Sequence, residues 1–386
     1  MASTAKNPTA VFVAGRAFAL AGARLDLMSR LADRGWLVYA VASCDAHADA
    51  VTRAGFSFIR IPFERRGFAP RRDASAVMQL ACVIQKTKPA LVHAFNPKPL
   101  LISAAAAATA PTTKVVNTVT GLGTLFSINN AVARLGRTAL RLATNRCDAT
   151  VWQCSEDRTD LMSRGFRFGN ESRVIVGTGV NTELFRPKPS TTVRSQHRVL
   201  MAGRPLRQKG IVEYADAARR VQAVLPESRF CFAGPTDFTH PDSVDGEWFD
   251  RVTNDGTLEY VGEIKDMASQ LPDYTLAVLP SYREGTPRFL MEAASCGLPV
   301  VTTDAPGCRE TVVDSSSGLI APVADAQRLS EAVIAILQDT EKQRRMGKAG
   351  RALALQKFDM RRINGQYLRL YRDLELPLIS QPASTI

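Results

Sequence analysis

Long apolar runs are missing from this sequence. No stretch of about eighteen consecutive apolar residues occurs, so no membrane-spanning helix is expected. The most apolar segment, Leu100 to Ala110, is too short and is mostly alanine. The first residues have neither the basic start nor the apolar core of a signal peptide, and a cytoplasmic protein is expected. The seven cysteines include no Cys-x-x-Cys pair, which points to reduced, mostly buried thiols. The four histidines lack metal-ligand spacing and Asp-x-Asp does not occur, so no metal is expected. Gly121-Leu122-Gly123 has no third glycine at the dinucleotide spacing, which excludes a nicotinamide site; no cofactor is expected. No nucleic-acid-binding motif occurs, nor an aromatic platform for bases, so nucleic acid is not an expected partner.

What is present is the composition of a soluble globular protein, 45% hydrophobic and 22% charged. A chain of 386 residues suits two domains, each able to bury its own core. The net charge of +12 is unevenly placed. Residues 1–185 hold 23 Lys and Arg against 12 Asp and Glu, whereas residues 186–386 hold 26 against 25. An anionic membrane surface or a phosphorylated substrate fits the basic half, and so does a plain solvated surface. Arg60, Arg65, Arg66, Arg71 and Arg72 lie close together with Phe63 and Phe68 between them. Such a loop, with its aromatics exposed, can lie on a headgroup layer or stand in solvent.

Strands and helices alternate along the chain. Strands are expected at Val11–Ala14, Trp36–Ala42, Phe56–Ile61, Ala90–Phe95, Lys114–Thr120, Thr150–Cys154 and Arg173–Val176. Helices are expected over Ala21–Arg34, Val77–Lys86 and Arg134–Ala143. The segment Asn181 to His197, with Pro187, Pro189 and a Ser/Thr run, reads as a linker. The alternation then restarts with a strand at Arg198–Ala202, a helix at Ile211–Leu225 and a strand at Arg229–Ala233. Further strands are expected at Leu258–Val261 and Gly318–Pro322, and three helices cover about 327–374. This is an α/β pattern with parallel sheets covered on both faces.

The stretch from Thr275 to Val313 is the most informative. Leu276–Leu279 reads as a buried strand and a loop with Arg283, Glu284 and Gly285 follows. Thr286 suits a helix N-cap and Pro287 the first helical position, and the helix is expected to run to Cys296. Pro299–Thr303 is the next strand, so Glu284 belongs at the carboxyl end of a parallel strand, where open α/β sheets place ligands. Glu292 sits among Phe289, Leu290, Met291, Ala293 and Ala294. A carboxylate there needs donors: it is either an internal salt bridge holding the helix to its neighbour or an acceptor for a sugar's hydroxyls. Arg204 and Lys209 follow the second domain's first strand and share that sheet edge, where two cations with a helix N-terminus can neutralise a diphosphate.

These motifs resemble those of the retaining glycosyltransferases of GT-B type in the large family-four group, glycosyl transferases group 1. GRPLRQKG resembles the family's diphosphate loop, and Glu284 and Glu292 match its Glu-x7-Glu signature within LPSYREGTPRFLMEAASCGLPVVTTDAPGCRE. GTGVNTELFRP is similar to the stretch before the family's interdomain linker. VNTVTGLGTLF and the preceding HAFNPKP resemble a branch that builds surface polysaccharides or lipopolysaccharide on a polyprenyl-diphosphate carrier, with Thr120 where many members have a histidine near the donor sugar. The glycine-rich loop after the first strand is reduced to Gly15 and Gly22.

The resemblance implies two Rossmann-like βαβ domains facing a cleft. They would be an N-terminal acceptor domain over 1–185 and a nucleotide-sugar domain over 186–365, with 366–386 packing back on the first. Arg204 and Lys209 would hold the diphosphate, and Glu292 the ribose. Glu284, with the N–H groups of Gly285, Thr286 and Arg288 around Pro287, would position the sugar; Gly15 would approach the donor from the first domain. The implied activity is metal-independent transfer, with retention, of a hexose or N-acetylhexosamine. It would pass from a nucleotide-sugar, a UDP-sugar above others, to a polyprenyl-diphosphate-linked saccharide at the inner face of the cytoplasmic membrane. Transfer to a soluble acceptor, or non-hydrolysing epimerisation of a sugar nucleotide, are the alternatives.

Overall fold

The computed structural model describes residues 7–64, 69–122, 131–166, 168, 171–188 and 197–377. The chain divides into two compact units, one of Met1–Thr178 with Ile363–Ile386 and the other of Gly179–Arg362. Among the described residues each has one sheet, and every strand pair is parallel.

The first sheet contains β1 (Thr9–Arg16), β2 (Leu37–Ser43), β3 (Ser57–Arg60), β4 (Leu91–Phe95), β5 (Lys114–Val119), β6 (Ala149–Trp152) and β7 (Glu171–Val174). Their order is β3-β2-β1-β4-β5-β6-β7, so the chain leaves β1 in one direction and returns on its other side at β4. Both faces are covered, which is why β1 reads as a continuous apolar run rather than an alternating one. Phe12 packs into the core on one face while Val11 and Val13 pack into the core on the other.

The helix Met360–Asp373 completes the first of those cores with Ile363, Tyr367, Leu370 and Tyr371, all fully buried. It is stapled to the sheet by polar contacts. The Tyr371 hydroxyl lies 2.5 Å from His93 Nδ1, and His93 Nε2 lies 2.8 Å from Thr118 Oγ1. Burial, with the Arg24 cation nearby, holds the His93 imidazole well below its usual pKa and therefore neutral. Arg24 is itself buried, its guanidinium carbon 4.4 Å from the centre of the Phe95 ring, a cation–π contact.

The second sheet contains β8 (Arg198–Ala202), β9 (Arg229–Ala233), β10 (Glu259–Gly262), β11 (Leu276–Leu279), β12 (Val300–Thr303) and β13 (Gly318–Ala321), in the order β10-β9-β8-β11-β12-β13. Here the chain reverses direction between β8 and β11. All four residues of β11 and of β12 are buried.

The α/β expectation is met, with local corrections. The helix expected over Ala21–Arg34 is two helices, Ala17–Ala23 and Leu25–Ala32, broken at Arg24 where the side chain turns in to stack on Phe95. Helices at Ala48–Arg53, Ser155–Ser163 and Gly246–Asn254 were not expected. Phe63 is buried rather than exposed, while residues 65–68 of the same basic loop lie outside the described residues. Residues 189–196 of the expected linker lie outside them too, and residues 181–188 are fastened. Arg351 Nη1 lies 2.9 Å from the carbonyl oxygens of Thr182, Phe185 and Ser295, and Phe185 is buried.

Removing the Tyr371 hydroxyl leaves His93 Nδ1 buried without that partner. Tyr371→Phe is expected to cost about 1–3 kcal/mol in urea unfolding. Because the folded pKa of His93 lies below its ordinary 6.5, the unfolded chain takes up the proton first as pH falls. Stability is then full above about pH 6.5 and declines below it, with a shallower slope in His93→Gln.

Candidate active site

The reversal point of the second sheet is a crevice between the loops that leave β8 and β11, and such crevices hold ligands at the carboxyl ends of the strands. The loop after β8 is Gly203 to Gly210. The Ser243 hydroxyl donates to the Pro205 carbonyl at 3.0 Å, and the Arg207 and Gln208 amides donate to Asp242. The polar segment 236–246 therefore cradles this loop. The loop after β11 is joined to it directly, since the Tyr282 amide donates to the Gln208 carbonyl at 2.9 Å.

Two glycines permit the approach. Gly210 has φ +74°, and a Cβ there would fall 2.1 Å from the Pro280 carbonyl oxygen. Gly307 has φ +77°, and its Cβ would fall 2.2 Å from the Glu284 carbonyl oxygen. Both conformations favour glycine, and both spaces hold only a hydrogen.

The charged groups follow from this frame. Lys209 Nζ is ion-paired with Glu284 Oε1. The Ser281 hydroxyl lies 2.9 Å from the same carboxylate oxygen, and the Glu284 amide donates to the Pro306 carbonyl at 3.0 Å. Arg204 is exposed at the mouth of the β8 loop.

The helix Arg288–Ser295 begins beyond Glu284, Gly285 and Thr286. Its N-cap is Pro287 and not Thr286, whose hydroxyl donates instead to the Gly285 carbonyl at 2.7 Å. Among the described residues no side chain caps this helix; its Leu290 and Met291 amides donate to the Pro287 carbonyl at 3.2 and 3.3 Å, and its first turn opens at the crevice. Glu292, on the fifth helical position, is 8% exposed, and its partner is Arg288 in its own helix, with Nε 2.7 Å from Oε1. Burial raises the Glu292 pKa and the Arg288 cation offsets part of that rise.

Arg204, Lys209, Glu284, Gly285, Thr286, Pro287, Arg288 and Glu292 thus share one sheet edge. Gly15 belongs to the first unit, at the carboxyl end of β1, where its Cβ position would meet Pro99 Cγ at 3.9 Å. His93, on the strand leading to that edge, is a core residue. Thr120 Oγ1 donates to Asn96 Oδ1, and Asn96 has φ +76°, a strained conformation beside the first sheet's own reversal point.

The pattern of the Glycosyl transferases group 1 family matches residues 186–353, and that of the Glycosyl transferase 4-like family matches residues 17–153. The chain is a glycosyltransferase. It is 25% identical, over 90% of its length and 94% of the relative's, to the N,N'-diacetylbacillosaminyl-diphospho-undecaprenol alpha-1,3-N-acetylgalactosaminyltransferase of Campylobacter jejuni. It is 22% identical to the UDP-Gal:alpha-D-GlcNAc-diphosphoundecaprenol alpha-1,3-galactosyltransferase of Escherichia coli, over 72% of this chain and 74% of that one. Among solved structures, Anabaena HepE in complex with UDP and glucose superposes with a TM-score of 0.79 at 18% identity, covering 95% of this chain and 100% of that one. The fold is GT-B.

The candidate site of this glycosyltransferase brings in residues that the sequence did not single out. Ser281 and Gly307 bear directly on Glu284; in the sequence they stand as a Pro-Ser pair after β11 and a Pro-Gly pair after β12. Cys308 lies under the same loop, its thiol pushed up to about 12 by burial and by the Glu284 charge, and so is inert.

Gly307→Ala is expected to lower stability by at least about 2 kcal/mol in urea unfolding, because backbone must move to admit the methyl group. Glu292→Gln should act in the opposite direction. A folded pKa raised above 4.5 means that stability falls as pH rises through the raised value. The neutral isostere removes that loss, so its melting temperature at pH 7 should equal or modestly exceed that of the unaltered chain.

Proposed function

We propose that this glycosyltransferase moves a hexose or N-acetylhexosamine from a UDP-sugar to a polyprenyl-diphosphate-linked saccharide, with retention and without a metal. The reaction would take place at the inner face of the cytoplasmic membrane, in the assembly of a surface glycan. The observation that carries the reading is the Lys209–Glu284 pair at the reversal point of the second sheet, with Arg204 on the same loop. A cation already held beside a carboxylate supplies both charges that transfer from a diphosphate needs.

In this mechanism the bond from the anomeric carbon to the β-phosphate oxygen breaks and a bond from the acceptor hydroxyl oxygen forms on the same face. The acceptor proton passes to the departing phosphate. Arg204 and Lys209 neutralise the charge that develops on the diphosphate, the largest catalytic contribution. Glu284 and the first-turn amides around Arg288 orient the sugar, and Glu292 accepts from the ribose hydroxyls. The UDP complex of HepE and the UDP-Gal named for the Escherichia coli relative support the donor. The diphospho-undecaprenol substrates named for both relatives support the acceptor.

Release of nucleoside diphosphate should be measured from UDP- and GDP-sugars, with and without a polyprenyl-diphosphate saccharide in detergent. Acceptor-dependent release from one UDP-sugar is expected. Turnover that ignores the lipid would refute the acceptor, and interconversion of donor alone would identify an epimerase. Glu284→Gln and Lys209→Ala should each lower kcat at least about 100-fold while the fold is kept.

A further inference from the structure

The helix Ala131–Asn145 lies on the first unit with Leu140 and Ala143 in the core. Its opposite face departs from what a solvated helix shows. Leu135 and Leu142, seven residues apart and therefore on one line, are 55% and 56% exposed. At 100° per residue, Arg134 and Arg141 flank that line on one side with Thr138 and Asn145 between, and Arg146 follows the last residue of the helix; all five are exposed. No acidic residue occurs from 131 to 147. Among the described residues no carboxylate is paired with Arg134, Arg141 or Arg146.

We propose that this face seats the first unit on an anionic lipid surface, Leu135 and Leu142 entering the headgroup layer and the three arginines meeting lipid phosphates. The proposal rests on the membrane-bound acceptor of the proposed function and names the surface that brings the enzyme to it. A leucine line flanked by two arginines, with a third at the helix end, matches an interface that is apolar beneath and anionic above. A second copy of the chain fits poorly, since a two-fold contact would stack arginine on arginine. Two leucines also fall well short of the apolar area in the core of a stable protein interface. Nucleic acid would meet the arginines but leaves the leucines without a partner, and residues 131–146 include no aromatic side chain to stack on a base.

The test is cosedimentation of the full chain with phosphatidylcholine vesicles, with and without phosphatidylglycerol. Binding should require phosphatidylglycerol and weaken as salt rises. R134Q/R141Q/R146Q should bind about 100-fold more weakly, roughly fivefold for each arginine. L135S/L142S should lose at least about tenfold. Each substitution is at an exposed position, so far-ultraviolet circular dichroism should be unchanged.

Failure of the unaltered chain to sediment with phosphatidylglycerol vesicles would overturn the proposal. So would loss in the arginine variant alone, which would describe a charged surface with no seated helix. Binding to RNA but not to vesicles would overturn it as well. Turnover on a water-soluble, short-chain polyprenyl acceptor should be unchanged in both variants. If that turnover is absent in the unaltered enzyme, the acceptor reading fails while the vesicle result stands.

Discussion

Backbone touching backbone is the constraint on which this site depends. The loops after β8 and β11 come together only because Gly210 gives the Pro280 carbonyl room, and the loop after β12 reaches Glu284 only because of Gly307. With those contacts made, Lys209 has one carboxylate to meet and Ser281 one oxygen to approach. The ion pair follows from the frame and does little to hold it. A part-buried pair returns little net energy, because desolvation offsets most of the attraction. What the frame fixes is position: two opposite charges are kept in register at a strand end.

Glu292 illustrates the converse. A carboxylate 8% exposed in an otherwise apolar helix, answered only by an arginine one turn back, weakens the fold. Nothing in the packing of the helix requires it, since its neighbours are core residues. Of the two meanings its setting allowed, an internal salt bridge to another element is absent among the described residues. The cost of such a group in stability is met by the surrounding core.

The strands and the second unit's charged residues were legible for definite reasons. β8, β11 and β12 are short apolar runs closed by polar or glycine-rich loops, and a strand followed by a helix fixes which end carries the loop. Arg204, Lys209, Glu284 and Glu292 were legible because spacing along the chain becomes proximity at a single edge. The short helices were not. Ala48–Arg53 buries only Ala48 and Val51, and Ser155–Ser163 only Asp157 and Leu161, too little for a periodic signal. The break at Arg24 is a tertiary event, since an arginine leaves solvent there only because Phe95 offers it a ring face. Asn96 is similar: a local sequence of Asn-Pro reads as a turn, while its positive φ is imposed by the strand it ends and the helix it begins. Phe63 was misplaced because charged neighbours in sequence are not neighbours in space.

The position of the last helix bears on how the protein is made. The core that Phe12 and Leu27 begin is closed by Tyr367 and Tyr371, residues separated from them by the entire second unit. On the ribosome, the second unit has all of its residues while the first still lacks one wall. The part synthesised first is therefore the part that finishes folding last, and until then its open face is a surface for chaperones to guard.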